Sequence, residues 1–312
     1  MASGRAHLLL QLVALLTVAL PACAQEDAAP AANPARPTIT NPATLTPVGY
    51  LQFEQGYLGS LNSPQTSSQH GLNQSVKVTV HPHLMLEVQA QTFAVSKARP
   101  TSTSSNDAGD VLAGAQVVLW NPPDTSDKDI SKDIHRHAYV RSALPTIAFA
   151  WLECIHNGSA PDIDLGSQDR TGLFLFSGHA PGLDVHYDIN LIVSQQSADL
   201  PSLLNPALSH HVRRGQFGQT FSVDRPFLNP NLQFSAEIYH FSQPLVAFTS
   251  AGTAVPRANL TGALLAFSYQ LHPTLVLDAG LEHGLTSTST EWQSFAGFTY
   301  LLPHRLWPAH TK

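Results

Sequence analysis

Hydrophobic and polar residues alternate with a period of two in a series of stretches between Gly49 and Leu302. Such alternation indicates a β-strand with one apolar and one polar face. In "GLDVHYDINLIV", the odd-numbered positions from 183 to 193 are apolar, and the even-numbered positions from 184 to 190 carry Asp, His, Asp and Asn. About twelve stretches follow the pattern, and none has a helical period, so the chain is predicted to be all-β. The stretches are 49–58, 71–80, 83–94, 110–120, 144–155, 171–178, 182–194, 215–224, 231–241, 259–271, 274–283 and 290–302.

The lengths of these stretches and of their connections indicate a membrane protein. Most run for roughly 10 residues, which suits a strand that crosses a bilayer better than the shorter strands of soluble sheets. Short proline-centred turns, such as "HPH" at 81–83, alternate with longer polar loops such as 97–109 and 195–215. This alternation is typical of an antiparallel transmembrane β-barrel, here of about 12 strands. The connection 121–143 is long where a short turn is expected, and indicates either a solvated insertion or a count that is wrong by two strands.

Alternation alone does not establish which face is turned outward. In "TLVLDAGLEHG", Leu277 and Leu281 lie on the face opposite Asp278. A soluble barrel would bury the apolar face, whereas a membrane barrel would turn it towards lipid, with the same sequence pattern. The last stretch favours the membrane, because its apolar face carries aromatic residues from Trp292 to Tyr300, as expected at two membrane interfaces.

The first residues predict export from the cytoplasm. Arg5, an apolar run over 8–20 and "ACA" at 22–24 predict a signal peptide over 1–24, cleaved near Ala24. The apolar run is short for a membrane anchor, and a lipoprotein with lipid on Cys23 is the other alternative. Residues 25–47 are rich in Ala and Pro and lack periodicity, so they are predicted to be a flexible segment, with order starting near Val48. The barrel is predicted over 48–302, and a C-terminal tail over 303–312.

Composition excludes several function classes. Charged residues make up 12% of the chain and hydrophobic residues 43%, with a net charge of −6. A negative chain without a basic stripe is not suited to nucleic acid. Cleavage of the signal peptide would leave Cys154 as the one cysteine, so no internal disulfide is expected. The sequence also lacks the P-loop, G-x-S-x-G and H-E-x-x-H motifs of soluble nucleotide enzymes and hydrolases.

Several long segments resemble a known family. They are "GYLQFEQGYLG", "PDIDLGS", "FGQTFSV", "EIYHFSQPL", "LVLDAGLEHGLTSTST" and "FAGFTYLLPHRLW". They are similar to bacterial outer-membrane β-barrel transporters that are grouped with the barrels of the MetA pathway of phenol degradation. The resemblance covers nearly all of the predicted mature chain. It implies a barrel in the bacterial outer membrane, whereas the substrates of that family are only loosely assigned.

The polar faces provide the candidate residues of a water-filled lumen. Because inward carboxylates outnumber the inward base Lys77, the lumen is predicted to favour cations or neutral polar solutes. Pairing with loop bases such as Arg213 or Arg214 would weaken that preference. The chain is then predicted to be a passive pore or transporter for small solutes, which are neutral, cationic, aromatic or hydrophobic. The candidate lumen residues are Glu54, Lys77, Glu87, Asp184, His186, Asp188, Asn190, Glu237, Asp278 and Glu282.

Two other functions stay open. In a membrane-embedded barrel hydrolase, His186 would act as a general base oriented by Asp184 or Asp188. The same polar row is also what solvation of a lumen requires, so no catalytic residue is predicted. The third possibility is a secreted soluble all-β binding protein, which would turn its polar faces to water.

No cofactor or metal is predicted from the sequence. The histidine pairs His135/His137 and His210/His211 fall in predicted loops and have no cysteine partners, so no structural zinc site is predicted there. The expected partners are outer-membrane lipid, a small solute and the barrel-assembly machinery, but not nucleic acid. The expected location is the bacterial outer membrane.

Overall fold

The computed structural model describes residues 30–36, 38–63, 66–98, 104–122, 144–155, 168–180, 183–201, 209–242, 247–248, 254–255 and 259–307. The predicted signal peptide, Cys23 and His135/His137 lie outside these residues. No helix in the described part is both long and apolar enough to cross a membrane. Within these ranges the strands are β1 (Leu51–Leu61), β2 (Thr66–His81), β3 (Leu84–Ala98), β4 (Ser104–Asp107), β5 (Val111–Trp120), β6 (Thr146–Ile155), β7 (Gln168–Ala180), β8 (Val185–Pro201), β9 (Ser209–Phe227), β10 (Asn229–Phe241), β11 (Ala247–Phe248), β12 (Ala254–Val255), β13 (Leu260–His272), β14 (Leu275–Gly284) and β15 (Trp292–Leu301).

Twelve of these strands form a closed antiparallel barrel. Consecutive barrel strands pair with each other, and β1 closes the ring by pairing with β15. Of the short strands, β4 extends the pairing of β3, whereas β11 and β12 pair only with each other. The predicted fold class and strand number are therefore confirmed. β5 and β6 pair with each other directly, so no other strand lies between them in the barrel wall.

The two ends of the barrel differ in their connections. At the turn end lie 82–83, 183–184, Leu228 and 273–274, together with the start of β1 and the end of β15. The end of β5 and the start of β6 also lie at the turn end, and the other end of each strand lies at the opposite end, the loop end. The predicted loop 195–215 is mostly strand in the structure, because β8 continues to Pro201 and β9 begins at Ser209. β8 and β9 can extend beyond the membrane-spanning length because each strand satisfies the backbone hydrogen-bonding groups of the other.

The outward face of the barrel is apolar. Alternate residues along the strands are exposed large hydrophobic side chains, for example Leu265 and Leu281 at 58% and 57% exposure. Exposed aromatic residues lie at both ends of the barrel, with Trp292 near the loop end and Trp120 near the turn end. A protein in water would expose the opposite, polar parity. The outward face is therefore suited to lipid, which removes the ambiguity that the alternating sequence left.

Residues 30–36 and 38–50, here named the lumen segment, lie inside the barrel. The segment enters at the turn end, where the backbone N–H of Ala32 donates to Pro273 O at 2.8 Å. It leaves next to β2, where Gly49 N donates to Thr79 O at 2.8 Å, and continues into β1. The prediction of a flexible segment over 25–47 is therefore wrong for these residues. Its absent periodicity reflects the lack of any strand or helix, because its backbone is satisfied by the barrel wall instead.

The described part of the C-terminal tail packs against the last two residues of the lumen segment, just before β1. Leu306 N donates to Gly49 O at 2.7 Å, and the Arg305 guanidinium lies over the Tyr50 ring at 6.0 Å from its centroid. Gly49 has a φ of 85° and a Cβ at this position would lie 2.8 Å from the Arg305 side chain. Both the backbone conformation and the space therefore favour glycine there.

Candidate functional site

Most of the predicted lumen residues do point into the barrel. All of them except Asp184 have 9% exposure or less. Asp184 is the exception, because it belongs to the turn before β8, has a φ of 49° and keeps 62% of its side chain exposed. The prediction that Asp184 lines the lumen is wrong, since the strand that would fix its side chain begins only at Val185. The inward residues are Glu54, Lys77, Glu87, His186, Asp188, Asn190, Glu237, Asp278 and Glu282.

A buried charged group occupies the inner wall of β1, β2 and β3. Lys77 Nζ lies 2.8 Å from Glu54 Oε1 and 3.6 Å from Glu87 Oε1. Gln52 Nε2 donates to Glu54 Oε1 at 2.8 Å, and Gln89 Nε2 donates to Glu87 Oε1 at 2.8 Å. The two carboxylates share one base, so this part of the wall carries a net negative charge.

The first half of the lumen segment is anchored to that charged wall. Asn33 N donates to Gln52 Oε1 at 2.9 Å, and Ala35 N donates to Glu54 Oε1 at 3.2 Å. On β14, which is separated from β1 only by β15, Asp278 Oδ1 lies 3.3 Å from Arg36 Nη2. The guanidinium therefore neutralises the inward carboxylate of Asp278.

The second half of the segment crosses to the opposite wall. The Glu237 carboxylate accepts from Ile39 N at 2.9 Å, from Thr40 N at 3.1 Å and from the Thr40 hydroxyl at 2.9 Å. Asn190 accepts from Asn41 N at 2.7 Å and donates to Asn41 O at 2.8 Å. The inward polar residues of β8 and β10 are thus partners of the segment's backbone, a role that periodicity does not reveal.

One sector of the inner wall is apolar, which differs from the polar inner wall expected from the sequence. On β6 and β7 the inward residues include Leu152, Leu173 and Leu175, and Ile192 follows on β8. These side chains form a cluster with segment residues Ile39, Ala43 and Leu45. The segment therefore covers the apolar sector while its backbone bonds to the polar residues beside it.

A cavity of about 400 Å³ remains between the lumen segment and the wall formed by β1, β2, β3 and β5. It is bounded on the segment side by Arg36, Thr38 and Ile39. On the wall side it is lined mainly by charged and amide side chains, which are suited to contact water or polar solutes. These include Glu54, Asn73, Gln74, Lys77, Glu87, Gln89, Gln91 and Asp110.

His186 lies beside two carboxylates near the turn end. Its Nδ1 is 3.1 Å from Asp224 Oδ1 and 3.5 Å from Asp188 Oδ2. The hydrolase hypothesis paired His186 with Asp188 or Asp184, and only Asp188 is close to it. Asp224 escaped sequence analysis because it lies 38 residues away in the chain. Only the register of β8 with β9 places it directly opposite His186.

Comparison with known proteins shows similarity in fold. No family model matches the chain, and no curated protein sequence does. The COG4313 outer membrane channel from Pseudomonas putida F1 superposes with a TM-score of 0.53 at 10% identity, over 83% of this chain and 98% of that chain. This chain therefore shares the β-barrel fold of that channel.

Two further solved barrels are similar at lower TM-scores. The NanC porin superposes with a TM-score of 0.47 at 10% identity, over 81% of this chain and 100% of that chain. The CymD monoaromatic hydrocarbon channel superposes with a TM-score of 0.41 at 10% identity, over 85% of this chain and 90% of that chain. Sequence identity this low leaves the solute to be argued from the residues of this lumen.

Proposed function

We propose that the chain is a passive channel of the bacterial outer membrane for small polar solutes, neutral or cationic, and that the lumen segment narrows its path. The observation that carries the proposal is the polar cavity of about 400 Å³ between the segment and the wall of β1, β2, β3 and β5. The proposed location in the outer membrane is supported by the apolar outer face of the barrel, which is suited to lipid, and by the similarity in fold to an outer-membrane channel.

Charge in the lumen supports the preference for cations. Among the described residues that line the lumen, the carboxylates outnumber the bases Arg36 and Lys77, and each of these two bases already pairs with a carboxylate. A negative field inside a low-dielectric wall raises the local concentration of cations. The carboxylates are Glu54, Glu87, Asp110, Asp188, Asp224, Glu237, Asp278 and Glu282.

Aromatic or hydrophobic solutes are the second candidate, supported by the apolar sector of β6, β7 and β8. That sector is covered by Ile39, Ala43 and Leu45 of the lumen segment. A hydrophobic solute would therefore have to displace the segment before it could contact the wall, whereas a polar solute faces the charged cavity directly. The grouping with phenol-degradation barrels stays a prediction from the sequence resemblance.

The test is the reversal potential of the purified protein in planar bilayers under a KCl gradient. We expect a cation-selective current, and a lower potassium-to-chloride permeability ratio for Glu87→Gln. This substitution leaves Lys77 paired with Glu54 at 2.8 Å. The matched control is Glu153→Gln, which removes the same charge from a side chain that is 46% exposed and paired with Arg170. An anion-selective wild type, or equal effects of the two substitutions, would contradict the proposal.

A second measurement separates the two solute classes. Liposomes that contain the channel should swell in response to small neutral sugars or cationic amino acids, at rates that fall as the solute grows. A channel for hydrophobic solutes would instead give no swelling with these solutes while it accelerates transfer of an aromatic hydrocarbon. That result would replace the proposed solute class and leave the channel function standing.

A further inference from the structure

The inner face of β8 and β9 carries a group of three side chains, here called the histidine–aspartate cluster. Its members are His186, Asp188 and Asp224. His186 and Asp224 are directly opposite each other in the strand register, and Asp188 follows two residues along β8 on the same face. One potential ligand atom from each residue lies within 4.8 Å of the other two. We propose that this cluster binds a divalent transition-metal ion of the zinc class.

The distances within the cluster match a metal coordination shell. Zinc bonds of about 2.0–2.1 Å to nitrogen and oxygen in tetrahedral geometry separate neighbouring ligand atoms by roughly 3.3–3.4 Å. His186 Nδ1 lies 3.1 Å from Asp224 Oδ1 and 3.5 Å from Asp188 Oδ2. Both distances from the imidazole nitrogen are therefore within a few tenths of an ångström of the tetrahedral value, and the two carboxylate oxygens lie within 4.8 Å of each other, so side-chain rotation would complete the shell.

Charge and burial favour a cation at this position. The side chains of His186, Asp188 and Asp224 are 6%, 9% and 14% exposed. Two carboxylates at this depth are stabilised in their charged form by a nearby positive charge. Arg36 lines the same small cavity, but its guanidinium pairs with Asp278. A divalent ion would balance both carboxylates at once.

The surroundings orient the ligands and leave room for water. The Ser177 hydroxyl donates to Asp188 Oδ1, so the other carboxylate oxygen is the one that faces His186. Next to the cluster is a cavity of about 30 Å³ whose lining includes Ser222, Gln233 and Ser235. That volume is large enough to hold a water molecule, which would complete a fourth coordination position.

The ligand types decide the class of metal. An imidazole nitrogen suits Zn²⁺, Cu²⁺ and Ni²⁺, whereas Mg²⁺ and Ca²⁺ prefer sites made only of oxygen ligands. Ser177 also accepts from Ala43 N of the lumen segment at 2.6 Å. The metal site is thus one side chain away from the segment that narrows the lumen. The proposal does not depend on the solute class of the channel.

The test is zinc titration by calorimetry, with untagged, chelator-stripped protein in detergent. We expect one zinc ion per chain at this site, with binding at least tenfold weaker in Asp224→Asn and in His186→Ala. Asp224→Asn keeps the side-chain shape, and heat-modifiable migration in gels reports whether each variant is folded. The matched control is His81→Ala/His83→Ala, which removes two histidines whose rings lie 5.8 Å apart at the turn end. This control should bind the ion as the wild type does.

X-ray absorption at the zinc edge of the wild type keeps the proposal testable if a variant does not fold. One nitrogen and two or three oxygen neighbours at about 2.0–2.2 Å would support the cluster. The proposal is wrong if the wild type binds no zinc, or if both ligand variants bind it with wild-type affinity. It is also wrong if the His81→Ala/His83→Ala control loses the ion. In those cases the cluster is not a metal site, and the His186 imidazole only forms hydrogen bonds with the two carboxylates.

Discussion

Glu237 is the main anchor of the second half of the lumen segment, so Glu237→Ala is expected to open the channel further. The substitution removes the acceptor of Ile39 N, Thr40 N and the Thr40 hydroxyl. Glu237 and Thr40 are 5% and 1% exposed. The two backbone N–H groups would therefore be left without a partner inside the docked segment.

The size of the effect follows from these contacts. Each buried donor that loses its acceptor costs about 1–3 kcal/mol. Water that enters the vacated volume recovers part of this cost, and the docked state no longer has to bury the carboxylate of Glu237. We therefore expect the docked segment to be destabilised by about 2 kcal/mol, which raises the population of the displaced segment roughly 30-fold.

Single-channel recording in planar bilayers is the assay, with Ser235→Ala as the control. Ser235 lies on the same strand and the same face as Glu237 and is also buried. A second readout is thiol labelling of Thr38→Cys in a Cys154→Ser background, which should be faster with Glu237→Ala. If conductance and labelling rate both match those of Ser235→Ala, the segment is not held by Glu237 and the reasoning fails.

Three further substitutions test other parts of the barrel. Lys77→Met leaves two buried carboxylates facing each other and should destabilise the barrel by about 3–5 kcal/mol, measured as a lower midpoint of heat-modifiable migration. Gly114→Ala places a Cβ 1.9 Å from the backbone oxygen of Trp151 and should lower the refolding yield, whereas Gly215→Ala, with nothing within 4 Å, should not. Leu265→Arg puts a charge on the outward face and should cost about 2–4 kcal/mol in lipid vesicles, and a neutral effect would contradict the orientation of the barrel.

The strands were predictable because membrane strands repeat their chemistry every second residue. The stretch 274–283 was predicted from its alternation, and β14 covers Leu275–Gly284 with Asp278 and Glu282 inward. The same periodicity failed at Asp184, where the alternation continues in the sequence although the strand has not yet begun. Successive residues point to opposite faces only where a strand fixes the direction of each side chain.

The lumen segment and the histidine–aspartate cluster were beyond the reach of that pattern. The segment has no period of its own, since its hydrogen bonds run from single residues such as Ala43 to separate strands of the wall. The cluster depends on the register of β8 against β9, which brings Asp224 opposite His186. Register is set by pairing across the whole sheet and by the turn, so a single strand does not reveal it.

The apolar inner sector of β6, β7 and β8 indicates a feature of the fold that the alternating pattern does not show. In the middle of β6 the residues of both faces are apolar, with Ala150 and Leu152 inward and Trp151 outward. Lipid explains the outward face, but a water-filled lumen would leave the inward face exposed to solvent. The inward face is instead covered by Ile39 and Leu45 of the lumen segment. A barrel strand that is apolar on both faces therefore indicates that another part of the structure covers its inner face, and here an Ala- and Pro-rich segment without periodicity does so.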